Sequence, residues 1–198
     1  MRMTSEQRRA SIVLSAIHLF AEKGFRGATT RELAAAAGVT EPVLYRHFRT
    51  KRDLYTAIIE GSAAGTLSQS SGLAAIAKRG DDREFFTAIA AMVLDRYQGN
   101  PELVRLLLYS CLERHELCDL FLDRVFLSYY KVTVAYIRRH IRNRRFRKID
   151  PETATRGFIG MIAYHGLLAL LFPGRFGRLK RKLVLDQMVG VFLDGIVA

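Results

Sequence analysis

Residues 24–53 read GFRGATTRELAAAAGVTEPVLYRHFRTKRD, two short helical patterns flanking one glycine. Thr29 is a good N-cap, and Glu32 three positions later completes a capping box, each side chain satisfying the other's backbone N–H. Residues 33–37 then form a slim, alanine-rich helix that allows a neighbour to approach closely. Gly38 stands where the chain must turn with positive φ. Thr40 caps the next helix, and Pro42 sits in its first turn, where a missing N–H breaks no intrahelical bond.

At about 100° per residue, Leu44 and Phe48 share one face of the second helix. With Val39, that face packs on Leu33, Ala34 and Ala37. Glu41, Pro42, Val43, Tyr45, Arg46 and His47 remain outside, a short surface that is aromatic, basic and rich in hydrogen-bonding groups. Its size and chemistry suit the major groove, where Arg pairs with guanine and small apolar groups touch thymine methyls. The plain alternative is a solvated hairpin inside a larger all-α bundle.

The run GATTRELAAAAGVTEPVLYRHFRTKRDLY resembles the N-terminal DNA-binding segment of the TetR family of bacterial transcriptional regulators. The likeness rests on the helix end at Phe20 to Gly24 with Phe25 after it, and on the Thr-Thr-Arg-Glu-Leu-Ala opening. The Ala-Gly-Val turn, the Leu-Tyr-Arg-His-Phe helix and the Lys51-Arg52-Asp53-Leu54 sequel complete it. It covers about residues 5–59, and beyond residue 60 only a general helical habit is shared.

The resemblance implies a sequence-specific, dimeric regulator of transcription, most often a repressor released from a palindromic duplex operator by a small-molecule effector. Matched to the family motif, Thr29 and Thr30 would anchor phosphates at a helix N-terminus, with Tyr45 and Lys51 doing likewise. Arg31, Thr40, Glu41, Val43, Arg46 and His47 would lie nearest base edges, with Pro42 shaping the helix start. Glu41 departs in tone, because an acid repels phosphate; it could accept from a cytosine amine instead. An architectural or nucleoid-type basic DNA-binding protein without a ligand is the alternative.

A chain of 198 residues holds one large or two small domains, and 49% apolar content excludes a disordered or fibrous protein. Two cysteines and a polar start leading straight into a helix point to a reducing cytoplasm. The longest apolar run, residues 157–172, falls short of the roughly 20 needed to span a bilayer, so a buried helix is expected and no membrane partner. The net charge of +12 suggests an anionic partner, but residues 1–60 carry only ten Lys/Arg against six Asp/Glu. Most of the excess lies elsewhere, so the motif carries the nucleic-acid reading.

In chain order, Thr4 and Gln7 open a first helix whose stripe is Ile12, Ala16, Leu19 and Phe20, with His18 at its edge. Thr50 caps a fourth helix through Ile59. GSAAGTLSQSSG at 61–72 reads as a frayed end or loop reaching toward Gly80. Helices follow from Asp81 or Asp82, from Asn100-Pro101, over 117–146, from Asp150-Pro151 to Phe172, and over 179–197. The expected class is all-α with about nine helices: a three-helix head in domain 1–60 and a helical bundle for ligand binding and dimerisation in 61–198. The last two helices are apolar around much of their circumference, so they must be buried on most sides. That face, with Phe158, Leu168, Val184, Met188, Val191 and Phe192, is the expected homodimer contact.

Candidate effector-pocket linings are Phe86, Met92, Tyr109, Phe121, Tyr129, Met161, Tyr164 and His165, all equally readable as ordinary core. Few acids among them favour an apolar or anionic ligand. Cys111, His115 and Cys118 follow an i, i+4, i+7 spacing, but zinc wants a fourth ligand and the helix breaks near Glu113. Two small buried cysteines beside an exposed histidine is the plain reading, and a redox pair lacks an electropositive setting. The basic clusters at 138–148 and 175–182 read as a helix C-terminus and a polar loop, or as a second anion site. No catalytic set, metal site or cofactor is expected.

Overall fold

Thr4, Thr29 and Thr50 each open a helix by the same device. In α1 (Ser5–Gly27) the Gln7 N–H donates to the Thr4 hydroxyl at 3.2 Å, and the Thr4 N–H donates to the Gln7 side chain at 2.9 Å. Thr29 and Glu32 repeat this for α2 (Thr30–Ala36), and Thr50 and Asp53 for α4 (Lys51–Arg79). Each pair satisfies two N–H groups that a first helical turn otherwise leaves open.

The structure, a computed structural model, describes residues 3–113, 116–176 and 180–198, the side chains of 63–71 and 116–117 excepted. Besides α1, α2 and α4 these hold α3 (Glu41–His47), α5 (Asp82–Gly99), α6 (Pro101–Leu112), α7 (Glu116–Phe121) and α8 (Leu127–Arg142). Then come α9 (Pro151–Leu171), α10 (Pro173–Phe176) and α11 (Arg181–Ile196). The only extended pairing among the described residues is one antiparallel bridge, Phe146 to Val197. The class is all-α, as expected. The count exceeds nine because the helix expected over 117–146 divides and α10 adds one turn. A π-helical turn, Leu122–Phe126, stands between α7 and α8, and Arg144 at φ 58° ends the run early so that Phe146 can fold back into the core.

The chain clusters into two compact units. One joins Met1–Gly65 to Glu102–Val125. Its core sets Ile12, Ala16, Leu19 and Phe20 of α1 against Leu33, Leu44, Phe48 and Tyr55, with Leu103, Leu106 and Leu107 of α6 closing it. Phe25 stacks on Phe20 at 5.8 Å and meets Tyr55 edge-on at 5.5 Å. The Tyr55 hydroxyl bonds Ser110, and burial pushes its pKa up to about 12. His18 lies exposed beside the α1 stripe, paired with Glu102 at 2.8 Å, which raises its pKa.

The other unit joins Thr66–Pro101 to Phe126–Ala198. Phe86 is its hub, meeting Tyr136, Phe158 and Phe192 edge-on. Asp81, not Asp82, caps α5, accepting from the Glu84 N–H at 2.9 Å. That leaves Asp82 buried as an acceptor for the Tyr136 hydroxyl at 2.6 Å and for Arg145 Nε at 2.7 Å. His140 donates through Nδ1 to the Tyr136 carbonyl and holds Nε2 3.5 Å from the same carboxylate. Burial first, then the Asp82 bond, raises the Tyr136 pKa.

The loop expected at 61–72 is helix: α4 runs unbroken through 29 residues. Glycine costs about 1 kcal/mol in a helix interior, but tertiary anchors outweigh it. Leu73 is buried, Ile76 and Ala77 pack on the second core, Arg139 donates to the Ala77 carbonyl at 2.7 Å, and Arg79 pairs with Glu84.

Candidate nucleic-acid interface

The α2–α3 hairpin is rigid for local reasons. Ala37 stays near-helical, Gly38 turns at φ 64°, and the Gly38 and Val39 N–H groups return to the Ala35 and Ala34 carbonyls at 3.0 and 2.9 Å. This is a helix-ending turn with its orphan carbonyls satisfied. Leu44 is the buried residue of α3, so the helix is held by one side and shows the other to solvent.

On that outer side Thr40, Pro42, Tyr45 and Arg46 are exposed, while Glu41, Val43 and His47 are half-buried. Arg31, at the start of α2, is exposed as well. Among the described residues neither Arg31 nor Arg46 makes an ion pair or hydrogen bond. Unpaired guanidiniums on a fixed helix can meet a guanine edge or a phosphate without first breaking a protein contact.

Three expected roles change in detail. Thr40 occupies the N-cap position of α3, yet its side chain makes no capping bond. Glu41 bends back instead of projecting, its carboxylate accepting from the Thr30 hydroxyl at 3.1 Å, which also ties Thr30. Thr29 spends its hydroxyl on Glu32, whose other carboxylate oxygen holds Lys23 at 2.6 Å. With Lys23 and the Thr29 bonds around it, Glu32 has its pKa lowered to about 2.

Lys51 differs most from its expected role as a phosphate anchor. Its Nζ turns inward, donating to the carbonyls of Phe25 at 2.6 Å and Ala28 at 2.9 Å, 4.5 Å from the Phe25 ring centre. Burial lowers its pKa while the Glu113 carboxylate opposes the shift. Lys51 thus clamps the α1–α2 corner through two of its ammonium protons. Lys51→Ala should lower the stability of the protein by about 1–3 kcal/mol, because two charge-assisted bonds vanish. Urea denaturation checks this, and an unchanged midpoint would mean the clamp contributes nothing.

The other expected sites are dispersed. Tyr109 and Phe121 belong to the unit of the reading head, whereas Phe86, Tyr129, Met161 and His165 lie in the second unit and Tyr164 is exposed. Met92 borders a cleft of about 250 Å³ between α4 and α5, with Leu73, Ile76, Ala88, Ala91 and Asp95. Asp95 is held there by two guanidinium nitrogens of Arg181, Nε and Nη2, each at 2.8 Å.

Of the expected dimer face, Phe158, Val184 and Phe192 are core of their own unit. Leu168 and Met188 are half-buried, and Val191 is 68% exposed. Nor is α9 buried on most sides: among the described residues it alone is long and apolar enough to cross a bilayer, with only 28% of its apolar window buried. Tyr164, Leu171 and Phe172 stand outside.

The basic clusters are partly structural, Arg139, Arg145 and Arg147 reaching Ala77, Asp82 and Val197. Arg178 and His115 lie outside the described residues. Cys111 and Cys118 are not two separate buried thiols: Cys111 is exposed, and a disulfide joins the pair across α6 and α7. A CX6C spacing across a helix break was the available signal.

The family model for bacterial regulatory proteins of the tetR family matches residues 12–58. The chain is 37% identical over 59 residues to the HTH-type transcriptional activator FasR of Mycolicibacterium smegmatis, covering 30% of this chain and 27% of that one. It is 30% identical over 133 residues to the nucleoid occlusion factor SlmA of Mannheimia succiniciproducens, covering 64% and 61%. The chain thus spans from about a quarter to about three fifths of the length of these curated relatives. Among solved structures, AibR in complex with isovaleryl coenzyme A and operator DNA shares the fold, with a TM-score of 0.74, 24% identity and coverage of 93% of this chain and 97% of that one. The head with its capped hairpin is thus similar, across residues 12–58, to bacterial regulatory proteins of the tetR family, and the chain shares the fold of AibR.

Proposed function

We propose that the protein is a cytoplasmic, homodimeric, sequence-specific DNA-binding regulator of transcription, a repressor released from its operator by a small molecule. The observation that carries the reading is the outward face of α3, where Arg46 and Tyr45 stand exposed on a helix fixed through Leu44. Arg46→Ala should weaken binding to the best duplex by about 1–3 kcal/mol and relax preference at one base pair. Competition between that duplex and single-base variants measures this, and a variant with unaltered preference would remove Arg46 from the base-reading set.

The dimer reading rests on the apolar outer side of α9 and α11, including Tyr164 at 63% and Val191 at 68% exposure. Exposed apolar side chains on these two helices favour a second copy over water. The effector reading rests on the second unit, whose Met92 cleft admits an apolar small molecule, and on α4, which runs without interruption from Lys51 to Arg79. Binding there would shift the population between two head separations. Coupling is reciprocal, so a ligand that weakens DNA binding tenfold must bind the DNA complex tenfold less tightly, about 1.4 kcal/mol. Ligand titration with and without duplex tests it; equal affinities would refute the sensor.

A second reading, an architectural DNA-binding protein without a ligand, is favoured by the likeness to the nucleoid occlusion factor. It would need no preference among duplex sequences beyond shape.

A further inference from the structure

The disulfide stands where a DNA-binding protein of the cytoplasm has no structural need for one. Disulfides in such a compartment are as a rule transient and redox-active. Cys111 lies in the last turn of α6 and Cys118 in α7, with Cα atoms 5.0 Å apart and seven residues of separation. Between them, Glu113 reaches back to the head. A Cβ at Gly24 would stand 2.8 Å from Glu113 Oε1, so the carboxylate lies against the bare Cα where α1 bends. Its Oε2 is buried and has no hydrogen-bond partner among the described residues.

A carboxylate oxygen with no donor, taken out of water, is unfavourable by itself. The Lys51 ammonium attracts it, offsetting part of that cost. The ring closed by the disulfide adds a second constraint, because Glu113 is two residues from Cys111. Its charge offsets that of Lys51. Lys51 clamps this same corner, whose other side is the N-terminus of α2 with Thr29.

We propose that Cys111–Cys118 is a thiol–disulfide exchange site that tunes DNA affinity by seating or releasing Glu113, an inference that rests on the DNA-binding function proposed above. The reductant is a dithiol of the thioredoxin class. Its thiolate attacks the exposed Cys111 sulfur, forming a mixed disulfide and expelling the Cys118 thiolate, which takes a proton. The second thiol of the reductant then displaces Cys111, so the reductant leaves as a disulfide and the chain holds two thiols. Two electrons and two protons have moved. With the ring open, the Glu113 carboxylate returns to water and no longer offsets the charge of Lys51 in the reading head. The reduced protein binds DNA more tightly, and oxidation loosens it.

The test uses the full-length protein, oxidised or reduced with dithiothreitol, on a random-sequence duplex at low salt and on the duplex it prefers. The reduced form should bind about tenfold more tightly than the oxidised form, with the gap narrowing as salt rises. Glu113→Gln should abolish the difference and hold both forms near the reduced affinity. Cys111→Ser should bind as the reduced form whatever the oxidant. Counting alkylated thiols in a glutathione buffer set to a reducing cytoplasm should give two per chain.

Equal affinity of the two wild-type forms, or a disulfide that survives the reducing buffer, would overturn the switch while leaving the DNA-binding function intact. If neither form binds any duplex, that function fails and the switch with it.

Discussion

Gly24→Ala should lower the stability of the protein by about 3 kcal/mol and abolish DNA binding at ordinary protein concentrations. Gly24 adopts φ 70° and ψ 174°, a region essentially closed to any residue with a Cβ. The bend it makes aims Phe25 back onto Phe20 and Tyr55, so straightening it empties the first core of an aromatic ring. The added methyl would also meet Glu113 Oε1 at 2.8 Å. Gly38→Ala makes the informative contrast. There φ is 64° and nothing lies within 4 Å of the new Cβ, so the cost is that of left-handed backbone alone, about 1 kcal/mol. Chemical denaturation of both variants checks the ordering. Similar losses at the two glycines would mean that the bend at Gly24 has no special role.

Asp82→Ala should cost about 3 kcal/mol, the second large effect, and should leave the isolated reading of DNA by the head untouched in kind. The substitution strands the buried Tyr136 hydroxyl, which loses its acceptor at 2.6 Å, and removes the partner of Arg145. Arg145 is half in water and recovers solvation, so most of the loss comes from Tyr136. Tyr136→Phe in the Asp82→Ala background should therefore recover part of the stability, because both polar partners are then gone. A double variant no more stable than Asp82→Ala would assign the loss to Arg145 or His140 instead.

What the sequence made legible was local. Thr4, Thr29, Thr50 and Asp150 cap helices as their neighbours three positions on demand, and Gly38 turns where a positive φ was needed. The face of α3 followed from the spacing of Leu44 and Phe48, both buried. What escaped was non-local. No pattern within residues 102–125 tells that α6 closes the core of the reading head, because its apolar stripe would suit any partner. Glycine and serine between residues 61 and 72 argued for a loop, and distant anchors such as Arg139 on Ala77 overrode that propensity. Lys51 looked like a phosphate ligand in the motif, yet its ammonium serves two carbonyls first. Likewise Phe158 and Phe192 were apolar residues of the right helices but face inward, a distinction that helical periodicity blurs when both sides are apolar.

The most direct test is selection of duplexes from a random pool by the full-length protein. A dimer that reads sequence through α3 should enrich an inverted repeat whose half-site centres lie about 34–36 Å apart, or a multiple of that. A pool that is retained by the protein but emerges without any enriched sequence would contradict it.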